Sequence, residues 1–158
     1  MSVLVVVGAG DIGEHHEHET HLLPMVLDAA LGLRDAVTVF GTDYATADGT
    51  ALRDYVHVSD LADAHVLALA HLERGGAPVE LDLGSSVGSS VRDVIAAVEA
   101  VTGLAVPVRD GARRPGDPAR LVASSARAAQ VLGWRARRPE LHAIVEDAWR
   151  WHRRLRTA

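Results

Sequence analysis

Apolar and polar residues alternate along this chain in short blocks that predict strands and helices in turn. Val3 to Val7 is a β-branched run with one leucine that stops at Gly8 and suits a buried strand. Gly13 to His21 is polar and histidine-rich, and predicts a loop. Leu22, Val26, Ala29 and Ala30 then recur at helical spacing, with Gly32 as the stop. Val37 to Phe40 predicts a short strand, and Gly41 to Thr50, rich in Gly, Asp and Thr, a turn or loop. Tyr55 to Val58 predicts another short strand. Ser59 reads as the cap of a helix running to about Leu72, with Asp60 suited to its positive end.

The second half continues the pattern. Val79 to Leu83 predicts a strand leading into the small-residue loop Gly84-Ser85-Ser86-Val87-Gly88. Ser90 suits the N-cap of a helix whose apolar face is Val91, Val94, Ile95, Val98 and Val101, ending at Gly103. Val106 to Val108 predicts an edge strand, because Pro107 has no N–H for a central one. Arg113-Arg114-Pro115-Gly116-Asp117-Pro118 predicts a rigid loop. Two helices follow, Ser125 to Leu132 closed by Gly133, and about Pro139 to Leu155 with the proline in its first turn. Trp134, Trp149 and Trp151 cluster here and read as core. The fold class is α/β, with no internal repeat or low-complexity tract.

Composition narrows the function classes. At 158 residues a single compact domain is expected, and the 48% apolar share is ordinary for a globular protein. No apolar run approaches membrane-spanning length, and Met1 to Val7 is too short and lacks the basic flank of a signal peptide. There is no cysteine, which points to a cytoplasmic setting rather than a disulfide scaffold. A net charge of -5 argues against a nucleic-acid partner held by phosphate neutralisation. All 16 basic residues other than histidine are arginine. Arginine grips phosphate through a planar fork but cannot release its proton as a catalytic lysine does.

Three features could carry chemistry. Gly8-Ala9-Gly10-Asp11-Ile12-Gly13 follows a strand and spells the glycine pattern that lets a backbone approach a dinucleotide pyrophosphate. The residues after it supply no apolar helix face, so Gly8, Gly10 and Gly13 are a candidate NAD site without its usual context. His15, His16, His18 and His21, interleaved with Glu14, Glu17 and Glu19, could offer zinc two or three ligands. No His-Glu-x-x-His helix is present, and the preferred reading is a solvated loop without a metal. The third feature is distributed. Arg53 and Arg114 could each hold a phosphate, Asp117 could accept from ribose hydroxyls, and Phe40 could pack on a base.

The sequence around those residues resembles the UDP-glucose 4-epimerase family, extended short-chain dehydrogenases/reductases of galactose metabolism. The similarity lies in Val39-Phe40-Gly41-Thr42-Asp43-Tyr44, Asp48-Gly49-Thr50 and the unbroken run Arg53-Asp54-Tyr55-Val56-His57-Val58-Ser59-Asp60-Leu61-Ala62-Asp63-Ala64-His65. It continues through Leu83-Gly84, Arg113 to Pro118, Leu132-Gly133-Trp134 and Glu146-Asp147-Ala148-Trp149. Upstream, Gly13-Glu14 and Glu19-Thr20-His21-Leu22-Leu23-Pro24 resemble the segment before the family's substrate-domain helix. The resemblance spans about Gly10 to His152. It implies that Arg53 and Arg114 grip the UDP diphosphate and that Asp117 holds the ribose. Phe40 and Thr38 would flank the uracil, with Leu22 a neighbouring contact. His21 stands where some members have asparagine, and Leu121 where some have a tyrosine near the sugar.

Only the C-terminal half of the family pattern is represented. Met1 to Gly13 resembles either the family's opening strand and glycine turn, with its first glycine falling on Val7, or the strand and loop before Glu19-Thr20-His21. The second alignment runs unbroken into Leu22. Either way, a residual strand and turn (1–13) precede a UDP-sugar-binding region (14–158) of a partial Rossmann-like, extended short-chain-dehydrogenase fold. The family's Tyr-x-x-x-Lys pair, which works with NAD, has no counterpart: Tyr44 and Tyr55 are the only tyrosines, and Asp48 and Ser59 lie four residues beyond them. The resemblance therefore implies a truncated homologue that binds UDP or UDP-hexose, has no catalytic residue of its own and holds no NAD alone. The alternatives are a half-enzyme completed by a separate NAD-binding chain, and a non-catalytic partner of intact epimerase. A homo-oligomer is a further possibility, because a missing sheet leaves an open edge and an apolar face.

Overall fold

The computed structural model describes residues 4–6, 12, 13, 16 and 18–157. Its elements in order are β1 (Leu4–Val6), α1 (Leu22–Ala30), β2 (Val37–Phe40), β3 (Leu52–Arg53), β4 (Tyr55–His57) and α2 (Val58–Glu73). After these come β5 (Ser89–Ser90), α3 (Val91–Thr102), β6 (Val108–Gly111), β7 (Arg120–Leu121), α4 (Ala126–Leu132) and α5 (Leu141–Thr157). The architecture is α/β, with β1 parallel to β4 and β2 parallel to β6. The short β3 lies between β5, antiparallel to it, and β7, parallel to it. Among the described residues, no helix is long and apolar enough to cross a membrane.

The main core follows from helical and strand periodicity. Leu23, Val26 and Leu27 of α1 meet Val94, Ile95 and Val98 of α3 and Ile144 and Val145 of α5. Val37 and Val39 point from β2 into this cluster. Because side chains alternate along a strand, Thr38 and Phe40 face the other way and are exposed. That alternation hands the outer face of β2 to the site described below. A second cluster holds Val56, Ala64, Ala128 and Trp134, with Leu81 and Leu83 packed on it. The Trp134 indole N–H donates to the Asp60 carbonyl at 2.8 Å, so its burial leaves no orphan donor. Trp149 is partly buried against the main core, and Trp151 is half-buried.

The α3 N-terminus is capped as its sequence predicts. The Ser90 hydroxyl accepts from the Asp93 N–H at 2.9 Å, and Asp93 accepts from the Ser90 N–H at 2.8 Å. Four other expectations are corrected. The cap of α2 is His57 rather than Ser59: β4 stops at His57, whose Nδ1 accepts the Ser59 N–H at 3.1 Å. Val79 to Leu83 is not a strand. Its leucines pack on the second cluster, but no described strand pairs with it. The edge strand near Pro107 begins one residue after it, because the proline carbonyl accepts the Val37 N–H at 2.8 Å and the ladder starts from there. Pro139 precedes α5 rather than opening it. The N–H groups of Arg137 and Arg138 both donate to the buried Asp60 carboxylate, at 3.1 and 2.9 Å, which holds that segment as a loop. Similarly, Ser125 takes the N-cap position of α4 with its hydroxyl turned to that of Ser86, 3.2 Å away.

One face of α2 has no described cover. Val66, Leu69 and Leu72 lie three residues apart and are 66%, 59% and 51% exposed. A helix with one side on a core and apolar residues at helical spacing on the other has two sides suited to packing.

Candidate functional site

His21, Leu22, Thr38, Phe40, Arg53, Arg114 and Asp117, which the resemblance associates with a UDP-sugar, line one cavity of about 200 Å³. His21 stands just before α1, while Leu22 and Met25 come from that helix. Thr38 and Phe40 come from the outer face of β2, Arg53 from β3 and Tyr55 from β4. Arg114 and Asp117 come from the loop after β6. Leu121 is not among the lining residues, although β7 pairs it with Arg53.

The loop holding Arg114 and Asp117 is a tight turn. The Asp117 N–H donates to the Arg114 carbonyl at 3.2 Å, with Pro115 and Gly116 between them. Gly116 has φ +78°, which the third position of a type II turn requires and which side chains disfavour. This turn links Arg114 and Asp117, and both line the cavity.

The arginines differ in how they are engaged. Arg53 is mostly buried and ion-paired to Asp117, and its Nη1 donates to the Leu52 and Pro118 carbonyls at 2.6 and 3.1 Å. Arg113 is held outside the cavity. Its guanidinium lies 4.3 Å from the centroid of Tyr44 and donates to the Asp43 carboxylate at 2.6 Å and to the Asp43 carbonyl. Arg114 instead lies over Phe40, 4.1 Å from the ring centroid, and makes no hydrogen bond or ion pair among the described residues. Its donors are therefore open to an anion. The position fits the preference of guanidinium for aromatic faces.

Two further residues bear on the site without a role assigned from the sequence: Tyr55 in the cavity wall and Glu19, bonded to His21. Tyr55 has a buried hydroxyl with no hydrogen-bond partner among the described residues. Burial pushes this phenol well above its ordinary range; Asp93 adds to the rise, and the nearby Arg53 only partly opposes it. Glu19 accepts from the Thr20 N–H, the His21 N–H and His21 Nδ1 at 2.9, 2.7 and 2.7 Å. Burial alone would raise its pKa, but those bonds outweigh the effect and hold it below the usual carboxylate value. Both lie in runs that carry the resemblance, Arg53 to His65 and Glu19 to Pro24, but those runs by themselves give neither residue a role in the site.

His16, Glu19 and His21 each offer a potential metal-ligand atom within 4.8 Å of the others. The 2.7 Å between Glu19 and His21 is shorter than the roughly 3.3 Å between two ligands of a tetrahedral zinc. As described, these atoms form a hydrogen bond rather than a shell around an ion.

Comparison with known proteins places the whole arrangement. A profile of the NAD dependent epimerase/dehydratase family matches residues 3–84. The chain belongs to that family. It is 49% identical over 144 residues to the UDP-glucose 4-epimerase of Halalkalibacterium halodurans, covering 91% of this chain and 43% of that protein. A crystal structure of UDP-glucose 4-epimerase superposes with a TM-score of 0.92 at 46% identity, covering 98% of this chain and 47% of the other. The enzyme from Bifidobacterium longum, solved in complex with NAD+ and UDP, gives 0.82 at 34% identity, covering 94% and 45%. The chain thus spans less than half the length of these epimerase/dehydratase relatives.

The family implies NAD, and the described residues do not form a cradle for it. A Cβ at Gly13 would run into the indole of Trp151, so the space that glycine leaves open is filled by α5. Among the described residues, the first helix after Gly13 is α1, which starts at Leu22. Gly8 and Gly10, the other candidate NAD glycines, lie outside the described residues.

Proposed function

We propose that residues 14–158 are the nucleotide-sugar-binding portion of a UDP-glucose 4-epimerase homologue, with 1–13 a residual strand and turn. On this reading the chain binds UDP or a UDP-hexose and does not epimerise it alone. The observation that carries the reading is the convergence of Arg53, Arg114 and Asp117 on one cavity, with the Arg114 guanidinium above Phe40 and without a partner among the described residues. A cavity with two arginines, one acidic residue and one aromatic face suits a nucleoside diphosphate. The relatives named as UDP-glucose 4-epimerases, one of them holding UDP, support the same ligand class.

Loss of turnover follows from the chemistry. Proton removal from the sugar hydroxyl needs a positioned general base, and the resemblance assigns that work to the tyrosine of a Tyr-x-x-x-Lys pair. The chain has no lysine. The phenol of Tyr55, the tyrosine in the cavity wall, is shifted upward by burial. Proton NMR with added UDP and an epimerisation assay with added NAD test both halves of the reading. Saturable shifts without turnover are expected. Turnover by the purified chain would overturn the second half.

A second reading has specific support. The uncovered apolar face of α2 and the single described partner of β1 suit docking of a separate NAD-binding portion, which would complete a cytoplasmic epimerase. Mixing the chain with the NAD-binding portion of a relative tests it. Restored turnover, lost on Leu69→Glu, supports the complex; an inert mixture with no association contradicts it.

A further inference from the structure

We propose that Glu19 is a positioning residue that makes His21 a proton-coupled ligand for the diphosphate, an inference that rests on reading the cavity as a nucleotide-sugar site. Glu19 is a carboxylate at neutral pH and can only accept hydrogen bonds. His21 Nδ1 lies 2.7 Å from its Oε1, so Nδ1 carries the ring proton. Any hydrogen bond His21 offers to a ligand in the cavity it lines must then come from Nε2. In the neutral ring, Nε2 holds a lone pair, and in the imidazolium it holds a proton. A diphosphate oxygen only accepts. It can therefore bond His21 only if the ring takes up a proton.

The surroundings decide whether that uptake is tolerated. Among the described residues, the loop before α1 contributes Glu19 and His16, whose ring centroid is 5.2 Å from that of His21. The cavity walls add Arg53, Arg114, Asp117 and the phenol of Tyr55. Arg53 is already paired with Asp117, which leaves Arg114 as the unpaired cation of the cavity and Glu19 as the anion in direct contact with His21. An incoming diphosphate adds negative charge, and this favours the imidazolium. The backbone N–H groups of Thr20 and His21 anchor the same carboxylate oxygen, so its position is fixed independently of the ring. Glu19 thus selects the tautomer that is a poor anion ligand when neutral and a good one when charged.

UDP-glucose is the probe of choice, because its diphosphate is esterified at both ends and does not titrate near neutrality. Calorimetry above the ordinary histidine pKa, in two buffers of different ionisation enthalpy, should show uptake approaching about one proton per ligand. Affinity should fall by roughly tenfold as pH rises through the histidine range. His21→Asn should bind with no uptake and a flat pH profile. Glu19→Gln frees the tautomer, so uptake should drop and the profile flatten while the fold persists. His16→Asn should keep the uptake. Binding by wild type with no uptake, uptake unchanged in His21→Asn or Glu19→Gln, or uptake lost in His16→Asn would each overturn the proposal while leaving the cavity's ligand class intact. No binding in any buffer would remove the ligand class and this proposal with it.

Discussion

The guanidinium carbon of Arg114 lies over the Phe40 ring, 4.1 Å from its centroid, while Arg113 beside it is tied to Asp43 and Tyr44. Two adjacent arginines therefore have different roles, one fixing a loop and the other open to the cavity. Phe40 supports Arg114 from β2, and an exposed cation–aromatic pair of this kind contributes about 0.5–1 kcal/mol. Phe40→Ala should weaken UDP binding about three- to tenfold, since it removes both this support and a face for the base. The melting temperature should change little, because Phe40 faces away from the core. Affinity equal to wild type would show that the ring has no part in binding.

Asp117 should matter to stability as well as to ligand. It pairs with Arg53, whose side chain is only 13% exposed, and removing it leaves a poorly solvated guanidinium with two backbone acceptors. Asp117→Ala should cost about 1–3 kcal/mol in urea unfolding. A loss below about 0.5 kcal/mol would place the pair with ordinary surface ion pairs.

His57 joins three elements. Its Nδ1 caps α2 through the Ser59 N–H, and its Nε2–H donates to Asp147 of α5 at 3.0 Å. The ring is almost fully buried. His57→Leu should lose both bonds and destabilise the fold by about 2–3 kcal/mol, the sum of a cap and a buried charged hydrogen bond. An unfolding midpoint equal to wild type would contradict that.

Asp48 gives the fold a dependence on acid. Burial alone would raise its pKa, but the Ser90 hydroxyl, the Thr50 N–H and hydroxyl, and Arg92 together hold it below the ordinary 3.8. A carboxyl lowered in the folded state stabilises above its unfolded pKa, and the contribution is lost as pH falls through the folded pKa. Asp48→Ala should thus be less stable than wild type at neutral pH, with the gap shrinking below about pH 4. A gap that stays constant on acidification would contradict the assignment.

Much of this was legible in the sequence because local signals and tertiary packing agree. Leu22–Ala30 and Val37–Phe40 have their predicted ends, and Ser90 and Gly103 bound α3, where a capping box and a left-handed glycine satisfy the helix ends. The site residues converged because the resemblance located them and strand alternation turned Thr38 and Phe40 the same way. What escaped depends on partners distant in sequence. The two-residue strands β3, β5 and β7 have no period to read, and exist only because they pair. Histidine is not a favoured cap, and His57 caps α2 because Asp147, ninety residues away, holds its ring. Val79 to Leu83 has the composition of a strand without a described partner. Gly13 matched a nucleotide-binding pattern, yet its want of a side chain is explained by Trp151.

The central claim is that Arg114 and its cavity hold the diphosphate of a uridine nucleotide. The most direct measurement is calorimetric titration of UDP and of uridine into the wild-type chain and into Arg114→Ala. The account predicts saturable one-site binding of UDP, much weaker binding of uridine, and at least a tenfold loss of UDP affinity in Arg114→Ala, as expected for charge-assisted bonds of about 1.5–3 kcal/mol. No binding at millimolar UDP, or UDP binding that Arg114→Ala leaves unchanged, would contradict it.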